Sequence, residues 1–149
     1  MAENLMPSMS GFWRNGGVGS GNYNASQAGI TLEPEIWTVA VEPSTEYRLQ
    51  AFVQGIDYGV LAGVHQVDAD GKFLNDSGWK RLDQGGYTFT TMGNAAGIRL
   101  VVRSSDYTYA GRDVLRADMG ERVFLRMSET PYDTWEPTPA EAGGGWLND

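Results

Sequence analysis

The stretch EYRLQAFVQ, Glu46 to Gln54, alternates strictly. Tyr47, Leu49, Ala51 and Val53 fall on one side and Arg48, Gln50, Phe52 and Gln54 on the other. A helix turning every 3.6 residues cannot collect those four apolar side chains on one face, whereas a strand does so automatically. The same period returns in GYTFTT, with Tyr87 and Phe89 together, and in IRLVVR, with Ile98, Leu100 and Val102 inward and Arg99 and Arg103 outward. It returns again in ERVFLRM, with Val123, Leu125 and Met127 inward. GVLAGVHQV is more evenly apolar, as expected of a strand covered on both faces. EIWTVAV, from Glu35 to Val41, is rich in β formers, and MSGFWRN reads as a short strand carrying Phe12 and Trp13.

Turn signals separate these runs. EPST, Glu42 to Thr45, is one. DADG, Asp68 to Gly71, is another: Asp and Gly supply the turn conformations, and Val67 and Phe73 resume pairing on either side. SSDYTYAGRD reads as a polar, tyrosine-bearing loop. GGVGSGNYNASQAG, Gly16 to Gly29, is too polar and glycine-rich to have a core of its own, and it lacks the spacing of a dinucleotide loop. Seven or eight short strands with no convincing amphipathic helix predict an all-β fold, a jelly-roll-like antiparallel β-sandwich. The 149 residues suit a single domain with extended termini. The expected division is a sandwich over 1–137, including a loop-rich segment at 1–30, and a Gly-rich docking tail at 138–149.

Composition excludes several kinds of chemistry. Eleven Lys and Arg stand against 19 Asp and Glu, a net charge of −8, which argues against nucleic acid and anionic lipid as partners. Without cysteine there is no disulfide, thiolate metal site or cysteine nucleophile. The opening MAENLMPSMSGFW does not read as a signal peptide, and no window approaches the ~20 apolar residues of a membrane span. The expectation is synthesis in a cytosol, as a soluble protein without membrane insertion.

The case for an enzyme is weak. His65, the one histidine, lies in GVHQV on the face of Leu61, Gly63 and Val67, and reads as a structural strand residue. The zinc-protease, phosphate-loop and nucleophile-elbow spacings are absent. Asp68 and Asp70 resemble the start of a calcium loop, but Lys72, Phe73 and Leu74 stand where further oxygen ligands belong. No catalytic residue, metal or cofactor is expected.

The aromatics are the better lead. A sugar offers an apolar C–H face and a rim of hydroxyls, so a binder wants exposed Trp or Tyr beside polar side chains. Tyr107 and Tyr109 lie near Asp106, Arg112 and Asp113; Tyr58 follows Asp57; Trp79 follows Asp76 and Ser77. Tyr58, Trp79, Tyr107, Tyr109 and Arg112 are therefore the candidate carbohydrate-binding residues, with plugging of the sandwich ends as the other role for the four aromatics. Trp13, Trp37, Tyr47 and Tyr87 read as packing residues.

The order of motifs carries a resemblance. NLMPSMSGFW looks like an N-L-L-P-N opening that leads into a glycine-rich, variable segment. WTVAVEPSTEYRLQAFV is similar to a V-x-P-G-T-x-Y-T-L-S turn and strand, and VHQVDADGKFL to a Y-D-A-x-G-K hairpin. YTFTTMGNAAGIRLVVR resembles F-T-T-P-x-N-A-x-x-I-R, and SETPYDTWEP a closing A-T-x-Y-x-P. Together, from Asn4 to Pro137, they resemble the carbohydrate-binding-module-like β-sandwich domains of tailed-bacteriophage virion proteins, of the minor tail and baseplate type. Ser44 departs from the usual turn glycine, and Arg126-Met127 replaces an acidic Q-L-E, so no functional glutamate transfers there. The resemblance implies a virion location and, in some members, saccharide binding at the host surface.

The resulting expectation is a structural minor tail or tail-tip protein, in contact with other virion proteins and with copies of itself as a homo-oligomer. Host cell-wall saccharide is a further expected partner. A capsid decoration protein and a free carbohydrate-binding module are the alternatives. Trp146 and Leu147 are the candidate assembly contacts. Tyr132 and Trp135, with Pro131, Pro137 and Pro139, are expected to form a clasp that closes the sandwich.

Overall fold

The computed structural model describes residues 4–7 and 9–130. The expected clasp at 131–139 and the contacts at Trp146 and Leu147 lie outside the described residues. Eleven strands form within that range, with every ladder antiparallel. In chain order they are β1 (Trp13–Asn15), β2 (Gly17–Gly19), β3 (Asn22–Asn24), β4 (Ile30–Leu32), β5 (Val39–Ala40), β6 (Glu46–Val53), β7 (Val60–Val67), β8 (Phe73–Arg81), β9 (Tyr87–Thr90), β10 (Gly97–Ser104) and β11 (Val123–Glu129).

The fold is the expected all-β sandwich. One sheet runs β1-β4-β10-β7-β8, with β5 also on β10; the other runs β11-β6-β9. The chain changes sheets between β6 and β7, and again at each step from β8 to β11, which is jelly-roll crossing. The alternating residues do what their period requires. Tyr47, Leu49, Ala51, Phe89, Val123, Leu125 and Met127 from the smaller sheet meet Trp13, Ile30, Leu32, Ala62, Val64, Ile98, Leu100 and Val102 from the larger. Trp37 and Tyr87 pack against this core half-buried. β7 is buried on both faces along almost its whole length, as its even hydrophobicity requires.

The turns behave as their chemistry dictates. Asp68 Oδ1 accepts the backbone N–H groups of Asp70 and Lys72, both at 2.9 Å, and Val67 pairs with Phe73 beyond the turn. Ser44, in the Glu42–Thr45 turn, takes φ +51, a left-handed conformation that glycine adopts with less strain.

Three local expectations are corrected. The segment SSDYTYAGRD, Ser104 to Asp113, reads as a polar loop, but from Tyr109 it enters an α-helix, α1 (Tyr109–Asp118), between β10 and β11. Thr108 caps it by accepting the Gly111 N–H at 3.0 Å, and only Gly111 and Leu115 are buried. Its apolar face holds one large buried side chain, so the charged residues around it dominate the segment and the sequence reads as polar. EIWTVAV is mostly not a strand: Pro34–Ile36 forms a 3₁₀ turn, Trp37 stays in the helical region, and only Val39–Ala40 joins the sheet. Pro34 sits at the first turn position, where its missing N–H costs nothing. In MSGFWRN, Ser10–Phe12 is likewise a 3₁₀ turn, leaving β1 to begin at the fully buried Trp13.

The glycine-rich segment folds into the β2–β3 hairpin, which lies on the outer face of the larger sheet. Having no core of its own, it borrows one: Val18 is buried, and the hairpin rests against β10.

Candidate functional site

The register of the larger sheet places the outward side chains in rows. Arg14, Thr31, Val101, Gly63 and Trp79 face each other across β1, β4, β10, β7 and β8. Arg99, His65 and Asp76 form the row to one side, and Arg103, Leu61 and Arg81 the row to the other. Asp76 and Trp79 are three residues apart, so in a regular strand they would point to opposite faces. The register of β8 shifts between them, and Gly78 takes φ +70. This bulge turns both side chains outward, beside His65 and Gly63. Ser77 fills the irregularity by accepting the Val64 N–H at 2.9 Å.

With a glycine in the middle row and the hairpin standing beside it, the outer face is cleft rather than flat. The cleft has a volume of about 360 Å³, and Ser20, Gln27, Gly63, His65, Asp76, Trp79 and Tyr107 line it. Trp79 and Tyr107 form its aromatic edge, 38% and 44% exposed. Their rings meet edge to face at 5.6 Å between centroids. The Arg103 guanidinium lies 4.8 Å from the Trp79 ring centre and 4.4 Å from that of Tyr107.

His65 is buried, with its Nε2 3.7 Å from Asp76 Oδ1 and its ring against Phe73. Burial pushes its pKa below the ordinary histidine value, and the Asp76 carboxylate opposes that shift in part. The imidazole is therefore neutral at pH 7. Its buried Nδ1 has no hydrogen-bond partner among the described residues. Reading His65 as a packed strand residue captures its burial but not its position at the wall of a cleft.

The five candidate residues fall in three places. Trp79 and Tyr107 come together at the cleft. Tyr109 and Arg112 pair on α1, the guanidinium 4.5 Å from the ring centre, while Tyr109 donates its hydroxyl to the Ser26 carbonyl at 2.7 Å and Arg112 also meets Asp113. Tyr58 is half-buried against the core and donates to Asp118 Oδ2 at 2.6 Å. Burial, then that hydrogen bond, hold its phenol protonated well above the usual range. Tyr58 thus ties the C-terminal end of α1 to the sandwich. A second cavity of about 350 Å³ lies beside it, with Asp57, Tyr58 and Asp106 in its wall.

Ser20, Gln27 and Gly63 line the cleft without having been singled out by the sequence, and Arg103 packs on its aromatic edge. Arg103 was legible only as an outward residue of β10, and Gly63 and Gln27 carry no motif.

No family model matches the chain, and no curated protein matches it. Among solved structures, it is similar to the CBM22-1 and GH10 modules of the N-terminal endo-1,4-β-D-xylanase 10B of Clostridium thermocellum, complexed with xylohexaose. The two are 11% identical with a TM-score of 0.40, and the match covers 92% of this chain and 30% of that one. A likeness of that size carries no inference about this chain.

Proposed function

We propose that this chain is a saccharide-binding β-sandwich protein and that the cleft at Trp79 and Tyr107 is its binding site. The observation that carries the reading is the pair of exposed aromatic rings at the edge of a cleft whose other walls are polar. A pyranose stacks its C–H face on such rings while Ser20 and Asp76 offer hydroxyl and carboxylate partners for its rim. The site needs no chemistry beyond binding.

The order of motifs along the chain supports placing this binder on the particle of a tailed phage, as a minor tail or tail-tip protein that contacts host cell-wall glycan and assembles with other virion proteins. Two measurements test the two halves separately. A glycan array, followed by calorimetry on its best ligand, is expected to show binding that Trp79→Ala and Tyr107→Ala each weaken by about five- to thirtyfold, the equivalent of ~1–2 kcal/mol of lost stacking. Both side chains are exposed enough for the variants to fold. Equal affinity in wild type and both variants would refute the site. Mass spectrometry of purified particles is expected to detect the chain, and its absence there would refute the virion placement.

A further inference from the structure

Among the described residues, Arg14 and Arg99 on the same sheet face as Arg103 meet no carboxylate. Their Nε atoms are taken up by the Leu32 carbonyl and the Thr38 hydroxyl, and Arg99 also donates to the Gly21 and Gly71 carbonyls; Arg103 has less to hold its charge. Arg81, in the same row across Leu61, is bound to Asp83 by both Nε and a terminal nitrogen. Arg112 meets Asp113, and Arg122 meets Asp118. None of the ion pairs among the described residues includes Arg103. Its one hydrogen bond is from a terminal nitrogen to the Ser104 carbonyl at 3.2 Å, and its buried Nε has no acceptor. The guanidinium is nevertheless held in place, packed over Trp79 and Tyr107 together. Among the described residues no carboxylate neutralises it beside the aromatic edge of the cleft, in a chain with 19 acidic residues.

We infer that the saccharide taken by this cleft carries a carboxylate, and that Arg103 receives it. The inference rests on the proposed reading of the cleft as a saccharide site and narrows it to acidic sugars such as uronic or sialic acid units. A guanidinium presents its N–H groups as a planar fork that matches a carboxylate, and aromatic packing fixes the fork before the ligand arrives. One guanidinium also matches a single negative charge. Asp76 is the acidic side chain in the cleft wall, two rows from Arg103 along β7, about 13 Å at the strand rise. The site is therefore polar from end to end: the carboxylate-bearing face of the sugar turns to Arg103, and hydroxyls turn to Asp76.

The test is an array of oligosaccharides in matched neutral, carboxylate-bearing and phosphate-bearing forms, probed with wild type, Arg103→Gln, Arg103→Lys and Trp79→Ala, each checked for folding by thermal unfolding. Binding is expected on carboxylate-bearing members, with affinity falling as salt rises. Arg103→Gln is expected to weaken it about ten- to a hundredfold and remove the salt dependence, and Arg103→Lys to keep part of both. A merely structural stacking role would move neither the preference for charge nor its salt dependence. Trp79-dependent binding of neutral or phosphate-bearing members alone would overturn the carboxylate assignment and leave the saccharide site standing. Undiminished acidic binding by Arg103→Gln would overturn the role of Arg103. Silence across the whole array would overturn both.

Discussion

Replacing Gly63 with alanine separates binding from folding. Gly63 is the cleft floor, and a Cβ added there stands 3.3 Å from Val101 Cγ1, 3.6 Å from Trp79 Cζ3 and 3.8 Å from His65 Nε2. The last two are ordinary contacts, while the first requires the Val101 side chain to yield by a few tenths of an ångström. Alanine within a strand gains ~0.5–1 kcal/mol over glycine from the more restricted unfolded chain. The crowded Val101 contact works against that gain, by ~1 kcal/mol at the low end of overpacking costs. The net change therefore falls within ~1 kcal/mol, a shift of about 2–4 °C in Tm for a domain of this size. Binding responds differently. The methyl group rises from the floor 3.6 Å from Trp79 Cζ3 and would lift the proposed sugar ring off that indole. Losing that contact costs ~1–2 kcal/mol, or about five- to thirtyfold in affinity. Calorimetry supplies both numbers, Tm from a scan and affinity from a titration with the best array ligand. Wild-type affinity at an unchanged Tm would refute the placement of the ligand. A fall in Tm beyond about 10 °C would refute the packing argument around Val101.

Two further expectations concern titration and anchoring. Because burial lowers the folded pKa of His65 below 6.5, stability contributed by the neutral imidazole is present above pH 6.5. It is lost as pH falls below that value, where the unfolded chain takes a proton that the folded chain refuses. Urea unfolding at stepped pH is expected to show this slope, and His65→Gln to flatten it; an unchanged slope in the variant would refute the assignment. Tyr58→Phe removes the hydroxyl bonded to Asp118 and is expected to cost ~1–2 kcal/mol in urea unfolding at pH 7, reduced from the full charged-bond value by partial exposure. The folded phenol pKa lies above the unfolded value of 10.0, so its contribution is complete below pH 10 and lost above it. Tyr58→Phe is expected to remove that alkaline slope as well, and a midpoint equal to wild type would refute the anchoring role.

The sandwich was legible because its information is local. Tyr47, Leu49 and Ala51, or Ile98, Leu100 and Val102, declare their face by alternation alone, and the structure buries each of them. The Asp68–Gly71 turn was legible because its chemistry acts within four residues. The helix was not, since α1 needs only Leu115 to hold its place in the core. The cleft was half legible. Trp79 and Tyr107 stood out as aromatics in polar company, but nothing local said that they would meet. Their meeting depends on the register of β8 against β7 and on the bulge at Gly78, which reverses the face of every residue beyond it. Arg103 was legible as outward and illegible as unpaired, because the lack of a carboxylate partner is a property of the assembled face.

The glycine-rich hairpin shows how a segment without chemistry of its own builds the site. A Cβ on Gly29 would stand 2.8 Å from Val101 Cγ2 and 3.0 Å from the Val102 carbonyl, and one on Gly17 would stand 2.9 Å from Val101 Cγ2. Neither position has room for a side chain, so the hairpin backbone lies directly on the row that contains Gly63. At that distance it becomes a wall, and the polarity that disqualified it as a core element becomes useful. Ser20 and Gln27 face the cleft, while the Gln27 amide donates to the Val18 carbonyl and holds the wall together. The opposite wall is aromatic. An outer sheet face that would otherwise be flat thereby gains an apolar side and a polar side, the two surfaces the proposed saccharide requires. The cleft depends on glycines at 17, 29 and 63 as much as on Trp79 and Tyr107: the first two seat one wall, and the third leaves the floor open.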